Sequence, residues 1–575
     1  MDLVDDDFYN ASPEPGPSSR VWDLILNPNV LLALFLGPVM ILFLTRYLSE
    51  RPLQSGDSKG GRRVWMPPYW VPFVGHGFNL QVDGLSDPIK FMSDARDQSL
   101  HGIFALFLGG TTHNIISDPD LVKSVMSQKE SVVQFKPIAW SVLQKFFGFP
   151  KSSGVKYDKC WDELHSLFGY FMRDLQLSKV LDRSNRLLEQ NIPQLISFIN
   201  SEIDLQPWER RANATYISPT ETEIDLCGMM RDLVGHSSVP PMFGSVLLEK
   251  YPNLLHDMYD FDDGMYYLLA GLPAWTPWAP VFRAHMARNR LWEALDDHQR
   301  ALDALAEGNS IDYSWGELDD VSEFILKRNE IYRKNNFEIR ERGELSVLWP
   351  SIINSSLLVY WQLLYILATP GLADKLRKEI APYSIVTQGA SIGKISEAPK
   401  LTLDHEGLSK NCPHLKSAYL EALRLTSKPW SVRKVASDVL ISQNKTDGDA
   451  ASYLLHKGEY ITLPHELHMR DPKYYPNPDE FEPDRFLVAD EDGKLSADIG
   501  TTRPYGGGPS MCKGRVFAER ECLAVIAGIL VFWEIEPADK KAGWVIPKQL
   551  KMSAVSKPAH ETRVRIKRRV FEWER

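Results

Sequence analysis

Apolar residues recur along this chain with two different spacings. From about residue 119 to residue 430 they recur every three to four positions, which is typical of amphipathic helices. Two short apolar runs, Ile103–Leu108 and Asn114–Ser117, flank a Gly109-Gly110 pair, and this arrangement predicts a β-hairpin. Short strand-like segments return after Trp430. The pattern predicts a mainly α fold with a small β region, and the absence of an internal repeat favours a single domain.

Two polar segments interrupt the helical region, and a third pattern marks the end of the chain. Glu209–Thr222 and Gly389–Gly407 lack the helical spacing, which predicts surface loops. In Arg563–Arg569 basic residues alternate with Val564 and Ile566. This alternation predicts a half-exposed final strand rather than a targeting signal.

Near the N-terminus, Leu24–Thr45 contains no charged residue. About 20 apolar residues are enough to cross a bilayer, although Pro28 and Pro38 weaken this helix. A cleaved signal peptide is the alternative, but the preceding residues are acidic where a signal peptide is basic. Basic residues follow the segment, which favours a cytosolic location for the rest of the chain. We predict an uncleaved, single-pass anchor.

The anchor divides the chain into four parts. Residues 1–23 are a short lumenal tail, and residues 24–45 are the transmembrane anchor. Residues 46–77 are a basic stretch and a hinge, stiffened by Pro67, Pro68 and Pro72. Residues 78–575 form one large domain.

Composition excludes several classes of protein. Of the 575 residues, 44% are hydrophobic and 11% aromatic, enough for a large core and too many for a disordered chain. The net charge of −10 argues against nucleic acid as a partner. The five cysteines include no Cys-x-x-Cys pair, so a disulfide framework or a zinc site is not expected, and a reducing compartment fits.

The most informative segment is Tyr505–Gly514 (YGGGPSMCKG), called the cysteine loop below. Its glycines let backbone approach a large flat ligand, and an apolar helix is predicted directly after it, at Arg515–Trp533. A thiol at a helix N-terminus should lose its proton more easily than usual, because the unpaired N–H groups favour the anion. A Cys512 thiolate would suit a metal such as haem iron. The alternative is a small buried residue that only fills space.

The cysteine loop resembles the haem-binding signature of the cytochrome P-450 family, aromatic-Gly-x-Gly-x-x-x-Cys-x-Gly. Tyr505 stands where phenylalanine is usual, and Ser510 stands where the signature commonly has an arginine that meets a haem propionate. The resemblance implies the P-450 fold and a haem b whose iron takes its axial thiolate from Cys512. It also implies that Tyr505 and three of the four loop glycines contact this haem (Gly506, Gly508 and Gly514).

Further motifs occur in the order that the family shows. Glu421 and Arg424 lie three apart on a predicted helix, Leu415–Leu425, which places both on one face. With Arg485 from Pro-Asp-Arg-Phe they match the family's Glu-x-x-Arg and Pro-x-Arg-Phe elements. The resemblance implies that the three residues form a buried ion network that braces the cysteine loop. Alone, such a pair would be an ordinary surface salt bridge.

Two elements match the positions that bind haem propionates in the family. Arg433 follows the Glu-x-x-Arg helix where the family has a propionate-binding arginine. Trp161 and His165 resemble the tryptophan–arginine pair of an earlier helix, with histidine in place of arginine. For His165 the alternative is a packing residue.

The apolar segment Leu348–Ala368 departs from the family pattern. Polar residues within it favour a buried helix over a second membrane span. In the family this helix passes over the haem and carries an acid–threonine pair, which falls here on Ile353 and Asn354. Asn354 with Ser355 would hold a water by hydrogen bonds. By family position the candidate pocket residues, each equally suited to a core, are Phe135, Trp140, Trp349 and Trp430.

These departures resemble the branch that contains the sterol seven-alpha and twelve-alpha hydroxylases and prostacyclin synthase. The resemblance implies a monooxygenase of the endoplasmic reticulum membrane, with its catalytic domain in the cytosol, that oxidises a lipophilic substrate such as a terpenoid or steroid-like intermediate. Electrons would come from NADPH through NADPH-cytochrome P-450 reductase, with cytochrome b5 as a further donor, because the chain has no dinucleotide-binding motif. The alternatives are an oxygen-independent isomerase or dehydratase that acts on a peroxide, and a non-catalytic haem or sterol binder.

Overall fold

A computed structural model describes residues 28–50, 61–81, 88–171, 173–389, 391–392, 395–396, 398–444, 450–550 and 554–571. The predicted lumenal tail, the first residues of the predicted anchor and residues 51–60 of the basic stretch lie outside this described part. Helices account for about 52% of the chain, and the sheets are small. The mainly α fold class is confirmed.

The helices, numbered in chain order, are α1 Pro28–Glu50, α2 Gly77–Gln81, α3 Pro88–Gln98, α4 Pro119–Met126, α5 Lys136–Lys145, α6 Gly154–Phe171, α7 Asp174–Asn191, α8 Pro207–Arg211, α9 Leu226–Phe243, α10 Val246–Lys250, α11 Leu254–Asp263, α12 Met265–Leu269, α13 Ala279–Glu307, α14 Glu323–Lys334, α15 Leu345–Ala368, α16 Leu372–Ile380, α17 His405–Asn411, α18 Pro413–Thr426, α19 His465–Met469 and α20 Arg515–Phe532. The predicted helices at 348–368, 415–425 and 515–533 correspond to α15, α18 and α20, and their boundaries differ by one to three residues.

The strands, numbered in the same way, are β1 Ile103–Leu108, β2 Thr111–Ile116, β3 Val133–Gln134, β4 Thr215–Ser218, β5 Glu221–Asp225, β6 Ser384–Thr387, β7 Ser391–Ile392, β8 Ile395–Ser396, β9 Lys400–Leu403, β10 Trp430–Val435, β11 Val439–Ser442, β12 Ser452–Leu455, β13 Tyr460–Pro464, β14 Leu487–Ala489, β15 Leu495–Ala497, β16 Trp533–Pro537, β17 Gln549–Leu550, β18 Lys557–Pro558 and β19 Arg563–Arg568.

The chain folds as two units, of which the smaller contains the described parts of residues 1–121 and 437–461. Its hairpin pairs β1 with β2 from Ile103 opposite Ile116 to Leu108 opposite Thr111. Gly109 and Gly110 form the turn with φ of +56° and +83°, a left-handed region that favours glycine. The predicted hairpin is confirmed, although its second strand starts earlier than expected. Strands β11 and β12 form a second antiparallel pair in this unit.

The larger unit contains the described parts of residues 122–436 and 462–575 and carries every candidate site residue. Helix α15 runs through its interior and packs against α9, α18 and α20, while α7 packs against α9 and α20. Nearly every residue from the middle of α15 onward is buried, because the helix is apolar on all sides. Its burial agrees with the interpretation of this segment as a core helix rather than a membrane span.

The prediction of a surface loop at 209–222 was wrong. This segment contains the end of α8, strand β4 and the start of β5, and β5 pairs antiparallel with the final strand β19. Glu221, in this segment, forms an ion pair with Lys567 of β19 at 3.4 Å. The polar residues that suggested a loop therefore face basic partners across the sheet, which a single segment does not reveal.

The final strand itself is confirmed. Within β19, Val564 and Ile566 are fully buried, and the basic residues that alternate with them are partly exposed. β16 pairs with β19 on its other side, so this strand lies inside the sheet and not at its edge.

The prediction of a surface loop at 389–407 was also wrong in part. Strand β9 pairs with β6, and β7 pairs with β8. Asp404 then caps helix α17, because its carboxylate accepts the backbone N–H groups of Glu406 and Gly407. Short strands and a cap residue share the polar composition of loops, which explains the error.

Candidate active site

The cysteine loop turns directly into helix α20. The backbone N–H of Cys512 donates to the carbonyl oxygen of Tyr505 at 3.0 Å and closes the loop. Gly506 and Gly508 have φ of +70° and +65°. A Cβ atom added to Gly508 would lie 2.9 Å from the carbonyl oxygen of Met126, so a larger residue there would collide. Two of the three predicted loop glycines are therefore required by the backbone itself.

Cys512 is the exposed cysteine of this chain, whereas the other four are buried (Cys160, Cys227, Cys412 and Cys522). Atoms packed around its sulfur nevertheless raise the pKa of the Cys512 thiol. Backbone N–H groups of Gly514 and Arg515, and the charges of Arg515 and Lys513, oppose this shift. The expected helix N-terminal effect is thus present, and desolvation of the thiol opposes and exceeds it.

Tyr505 anchors the start of the loop to helix α18. Its hydroxyl lies 2.5 Å from the hydroxyl of Tyr419, and burial raises the pKa of both phenols. Both rings therefore stay neutral, and the hydrogen bond between them holds the loop against the helix that carries Glu421.

The structure brings Glu421, Arg424 and Arg485 together. Glu421 receives two hydrogen bonds from Arg424, at 2.7 and 2.8 Å, and one from Arg485 at 3.0 Å. The side chains of Glu421 and Arg424 are completely buried, and that of Arg485 is 8% exposed. Both oxygens of the carboxylate are thus satisfied inside the unit, which offsets the cost of burying three charges.

The two arginines extend this network to the segment that precedes the cysteine loop. Arg424 donates to the carbonyl oxygens of Met469 at 2.8 Å and Pro478 at 2.7 Å. Arg485 donates to the carbonyl oxygen of Pro476 at 2.7 Å. The network therefore fixes residues 469–486 against α18.

Arg433 lies buried beside the cysteine loop. It donates to the hydroxyl of Ser510 and, at 2.8 Å, to the carbonyl oxygen of Val432. Its guanidinium lies 4.7 Å from the ring centre of Phe135. In the described part of the chain no carboxylate forms an ion pair with it, and burial lowers its pKa. The site thus contains a buried cation that lacks an anionic partner.

The Trp161–His165 pair adopts a local arrangement on helix α6. The two rings stack at 3.9 Å, and His165 Nδ1 lies 2.8 Å from the carbonyl oxygen of Trp161. Burial lowers the pKa of His165, so the ring is neutral at pH 7. If Nδ1–H donates to that carbonyl, Nε2 is an acceptor and binds a carboxylate only when protonated. A propionate contact by His165 stays a prediction that requires the charged ring.

Comparison with known proteins identifies the chain. Residues 345–564 match the family model of cytochrome P-450. These residues form a cytochrome P-450 domain. The chain is 25% identical over 526 residues to cytochrome P-450 monooxygenase poxD of Penicillium oxalicum. This alignment covers 90% of this chain and 95% of that protein. It is 25% identical over 543 residues to cytochrome P-450 7B1 of Mus musculus, with 92% of each chain covered.

A third relative is cholesterol 7-alpha-monooxygenase of Cricetulus griseus, 29% identical over 294 residues, which covers 49% of this chain and 53% of that protein. The predicted branch with the sterol seven-alpha hydroxylases is thereby confirmed. The protein is a haem monooxygenase and an oxidoreductase. As a P-450 it binds haem through a cysteine thiolate and takes its electrons from a reductase partner.

The residues of this P-450 fit a haem. The cysteine loop presents glycine backbone and an exposed thiol, and a Cβ added to Gly514 would lie 4.0 Å from the Cys512 sulfur. Arg433 adds a buried guanidinium with no carboxylate partner among the described residues. A porphyrin with an axial thiolate and two carboxylates has the shape and charge that these groups require.

The structure separates Asn354 from Ser355. Asn354 Oδ1 accepts the backbone N–H of Val555 at 3.4 Å. Ser355 is buried and lies near Glu521 of helix α20, where its hydroxyl acts to lower the pKa of that carboxyl group. Neighbouring helical residues point about 100° apart, and the expectation that the two side chains hold one water stays a prediction.

Each of the four candidate pocket residues contacts a different neighbour. Trp349 donates to Asp262 Oδ1 at 3.0 Å, and Trp430 donates to Glu466 Oε1 at 3.1 Å while remaining 41% exposed. The ring of Trp140 lies 5.7 Å from that of Tyr157. Phe135 is the candidate that contacts a predicted haem-binding residue, Arg433.

Sequence reasoning missed Glu521, a buried carboxyl on α20. Burial raises the pKa of Glu521 to about 7. Its position was visible in the pattern, because Phe517, Glu521, Ala524 and Gly528 recur at helical spacing and three of them are small or apolar. A charged residue within such a row is a signal of a buried acid.

Proposed function

We propose that this protein is a membrane-anchored monooxygenase that hydroxylates or otherwise oxidises a lipophilic substrate with O2. The observation that carries the proposal is the cysteine loop, whose exposed thiol lies between the Tyr505 anchor and helix α20. Bound haem supplies the activation of dioxygen, and Cys512 supplies the thiolate that tunes it. Relatives named for cholesterol and 25-hydroxycholesterol support a sterol-like or terpenoid substrate class.

Helix α1 supports the membrane anchor. It is 23 residues long with a mean hydropathy of 2.1, and its apolar window is not buried within the fold. At its C-terminal end, Ser49 Oγ accepts the backbone N–H of Tyr69 at 3.0 Å, and the ring of Phe43 lies 5.5 Å from that of Trp70. These contacts join the anchor to the proline-rich hinge. We assign residues 1–23 to the lumenal side, 24–45 to the span, 46–77 to the connection and 78–575 to a cytosolic catalytic domain at the endoplasmic reticulum.

Asn354 is the residue we assign to the distal side of the site. Its Oδ1 is held by Val555, while among the described residues its Nδ2 has no hydrogen-bond partner. The amide is therefore fixed in orientation and keeps a free donor. It can hold a water or a substrate oxygen, but unlike an acid it does not release a proton at neutral pH.

We assign the electron donor as NADPH-cytochrome P-450 reductase, with cytochrome b5 as a second donor. The chain itself lacks a dinucleotide-binding motif. The full chain, purified with its haem, should turn over sterol-like or terpenoid substrates only when NADPH, the reductase and air are all present. Product formation from a hydroperoxide alone, with no effect of the reductase, would instead support an isomerase or dehydratase. Such an activity is compatible with Asn354 at the position of the usual acid–threonine pair.

A further inference from the structure

The cysteine loop lacks the arginine that its signature usually places two residues before the cysteine. Ser510 occupies that position, and its hydroxyl accepts a hydrogen bond from Arg433. Ser510 therefore orients a cation but adds no charge of its own. If a haem carboxylate is to meet a second guanidinium, that group must come from elsewhere in the chain.

Arg503 lies in the right place to supply this group. Its carbonyl oxygen accepts the backbone N–H of Gly506 at 3.1 Å, so its own backbone forms the start of the cysteine loop. Its Nη1 atom is 3.3 Å from the point where a Cβ on Gly507 would lie. The guanidinium thus runs along the loop, and the glycine leaves the space that it occupies.

Within the described part of the chain, no anion compensates this guanidinium. Among the residues that the structure describes, Arg503 has neither a hydrogen bond from its side chain nor an ion pair with a carboxylate. Arg433 also lacks an ion pair there, and both charges act on the buried ring of His465. Burial and the charges of Arg503, His468 and Arg433 lower the pKa of His465 to about 3, and no carboxylate opposes them.

Arg433 and the half-buried Arg503 lie beside a neutral histidine and make a positive site to which the described residues supply no counter-charge. Unpaired charges in a protein interior are costly, and a bidentate carboxylate is the partner that a guanidinium prefers. A ligand with two carboxylates would satisfy both arginines at once. Haem is such a ligand, and its thiolate ligand lies on the same loop.

We propose that Arg503 replaces the missing loop arginine and binds a carboxylate of the haem. Arg433, oriented by Ser510, then serves the other carboxylate. The assignment concerns how haem is retained and does not depend on the substrate or the reaction under Proposed function.

The test compares haem release from the ferric holoprotein of several variants, followed by transfer to excess apomyoglobin. Arg503→Gln should release haem about ten times faster or more, because a hydrogen bond to a charged group is worth about 1.5–3 kcal/mol. Arg503→Lys keeps the positive charge but cannot donate two parallel hydrogen bonds, so its rate of haem release should lie between those of Arg503→Gln and wild type. Lys541→Gln, an exposed residue outside the cysteine loop, is the matched loss of one charge and should release haem at the wild-type rate.

A compensating change separates haem contact from general destabilisation. Adding Ser510→Arg to Arg503→Gln returns an arginine to the usual loop position and should restore slow haem release. The reduction potential of the haem should fall in Arg503→Gln, because removing a positive charge near the carboxylates favours the ferric state. Both readouts are independent of turnover, so they separate this proposal from the proposed function.

If Arg503→Gln releases haem at the wild-type rate and keeps the wild-type reduction potential, the assignment is overturned and Arg503 is a surface cation only. A faster release that Ser510→Arg does not reverse would also overturn it, since the loss would then be structural.

Discussion

Glu521 Oε1 accepts a hydrogen bond from Ser238 Oγ at 2.6 Å in the middle of the helix bundle. Ser184 approaches the same oxygen at 3.4 Å, and the other carboxyl oxygen has no hydrogen-bond partner among the described residues. The serines come from α9 and α7, and no cation contributes to the site. Burial raises the pKa of this carboxyl group to about 7, although the hydrogen bonds from the serine hydroxyls oppose the shift.

The first prediction concerns the pH dependence of stability. The folded pKa of Glu521 is about 7, whereas an unfolded glutamate titrates near 4.3. The folded state therefore binds the proton more tightly, so the contribution of this group is complete below about pH 4 and is lost as pH rises through 7. The whole loss amounts to about 4 kcal/mol, of which about 3 kcal/mol falls between pH 5 and pH 8.

Denaturant unfolding of wild type and Glu521→Gln at pH 5 and pH 8 measures this effect. The glutamine variant cannot titrate, so between these pH values it should lose about 3 kcal/mol less than wild type. Glu519→Gln is the control on the same helix, because Glu519 is paired with Lys416 at 2.8 Å and is partly exposed. Equal pH dependence in wild type and Glu521→Gln would show that Glu521 is not protonated at pH 5–7.

The second prediction concerns the buried ion network. Glu421→Gln removes the anion that Arg424 and Arg485 share, and breaking a buried pair costs about 3–5 kcal/mol. Because the arginines fix residues 469–486, we expect little haem-bound protein to accumulate. The ratio of haem absorbance to protein measures this loss.

The control for the network is a surface pair of the same type. Asp374 and Arg377 lie three apart on α16 at 2.7 Å, with the carboxylate 75% exposed. Asp374→Asn should cost less than about 1 kcal/mol and leave the haem content at the wild-type level. A normal haem content in Glu421→Gln would contradict a bracing role for the network.

Much of this fold was predictable from local pattern. Hydrophobic spacing located α15, α18 and α20, and the glycine pair located the β1–β2 hairpin. Motif order brought Glu421, Arg424 and Arg485 to one point, although residues 421 and 485 are far apart in sequence. Such motifs encode a three-dimensional contact that spacing alone does not.

The features that sequence analysis missed all depend on distant partners. The hairpin at 209–222 was mistaken for a loop because its acidic residue Glu221 pairs with Lys567, a basic residue of the last strand. Ser355 was grouped with Asn354 because the two are adjacent, but its partner Glu521 lies on another helix. The Cys512 thiol was expected to be acidic because local dipoles are visible in sequence, whereas desolvation is not.

The third prediction concerns the iron ligand. Cys512→Ser removes the thiolate, so the ferrous carbonyl spectrum typical of a haem-thiolate protein should disappear, together with turnover. Cys412→Ala is the matched cysteine change, because Cys412 is buried and its sulfur lies 3.8 Å from the carbonyl oxygen of Glu379. That variant should keep the spectrum and lose about 1 kcal/mol or more of stability. An unchanged spectrum in Cys512→Ser would remove Cys512 as the ligand.

The last prediction concerns Asn354 and how electrons are used. In Asn354→Ala the free Nδ2 donor and the bond to Val555 are both lost, so water at the distal side is no longer oriented. We expect the product formed per NADPH consumed to fall about ten-fold, with hydrogen peroxide released instead, since one hydrogen bond of this kind is worth about 1.4 kcal/mol.

Asn354→Thr and Ser355→Ala separate the donor from the fold. Threonine restores a hydroxyl donor at the same position and should recover part of the coupling. Ser355 lies on the side of α15 that faces Glu521, so Ser355→Ala should change the product formed per NADPH less than Asn354→Ala does. If all three variants form product per NADPH as efficiently as wild type, Asn354 takes no part in oxygen use, and its amide serves only to hold the backbone at Val555.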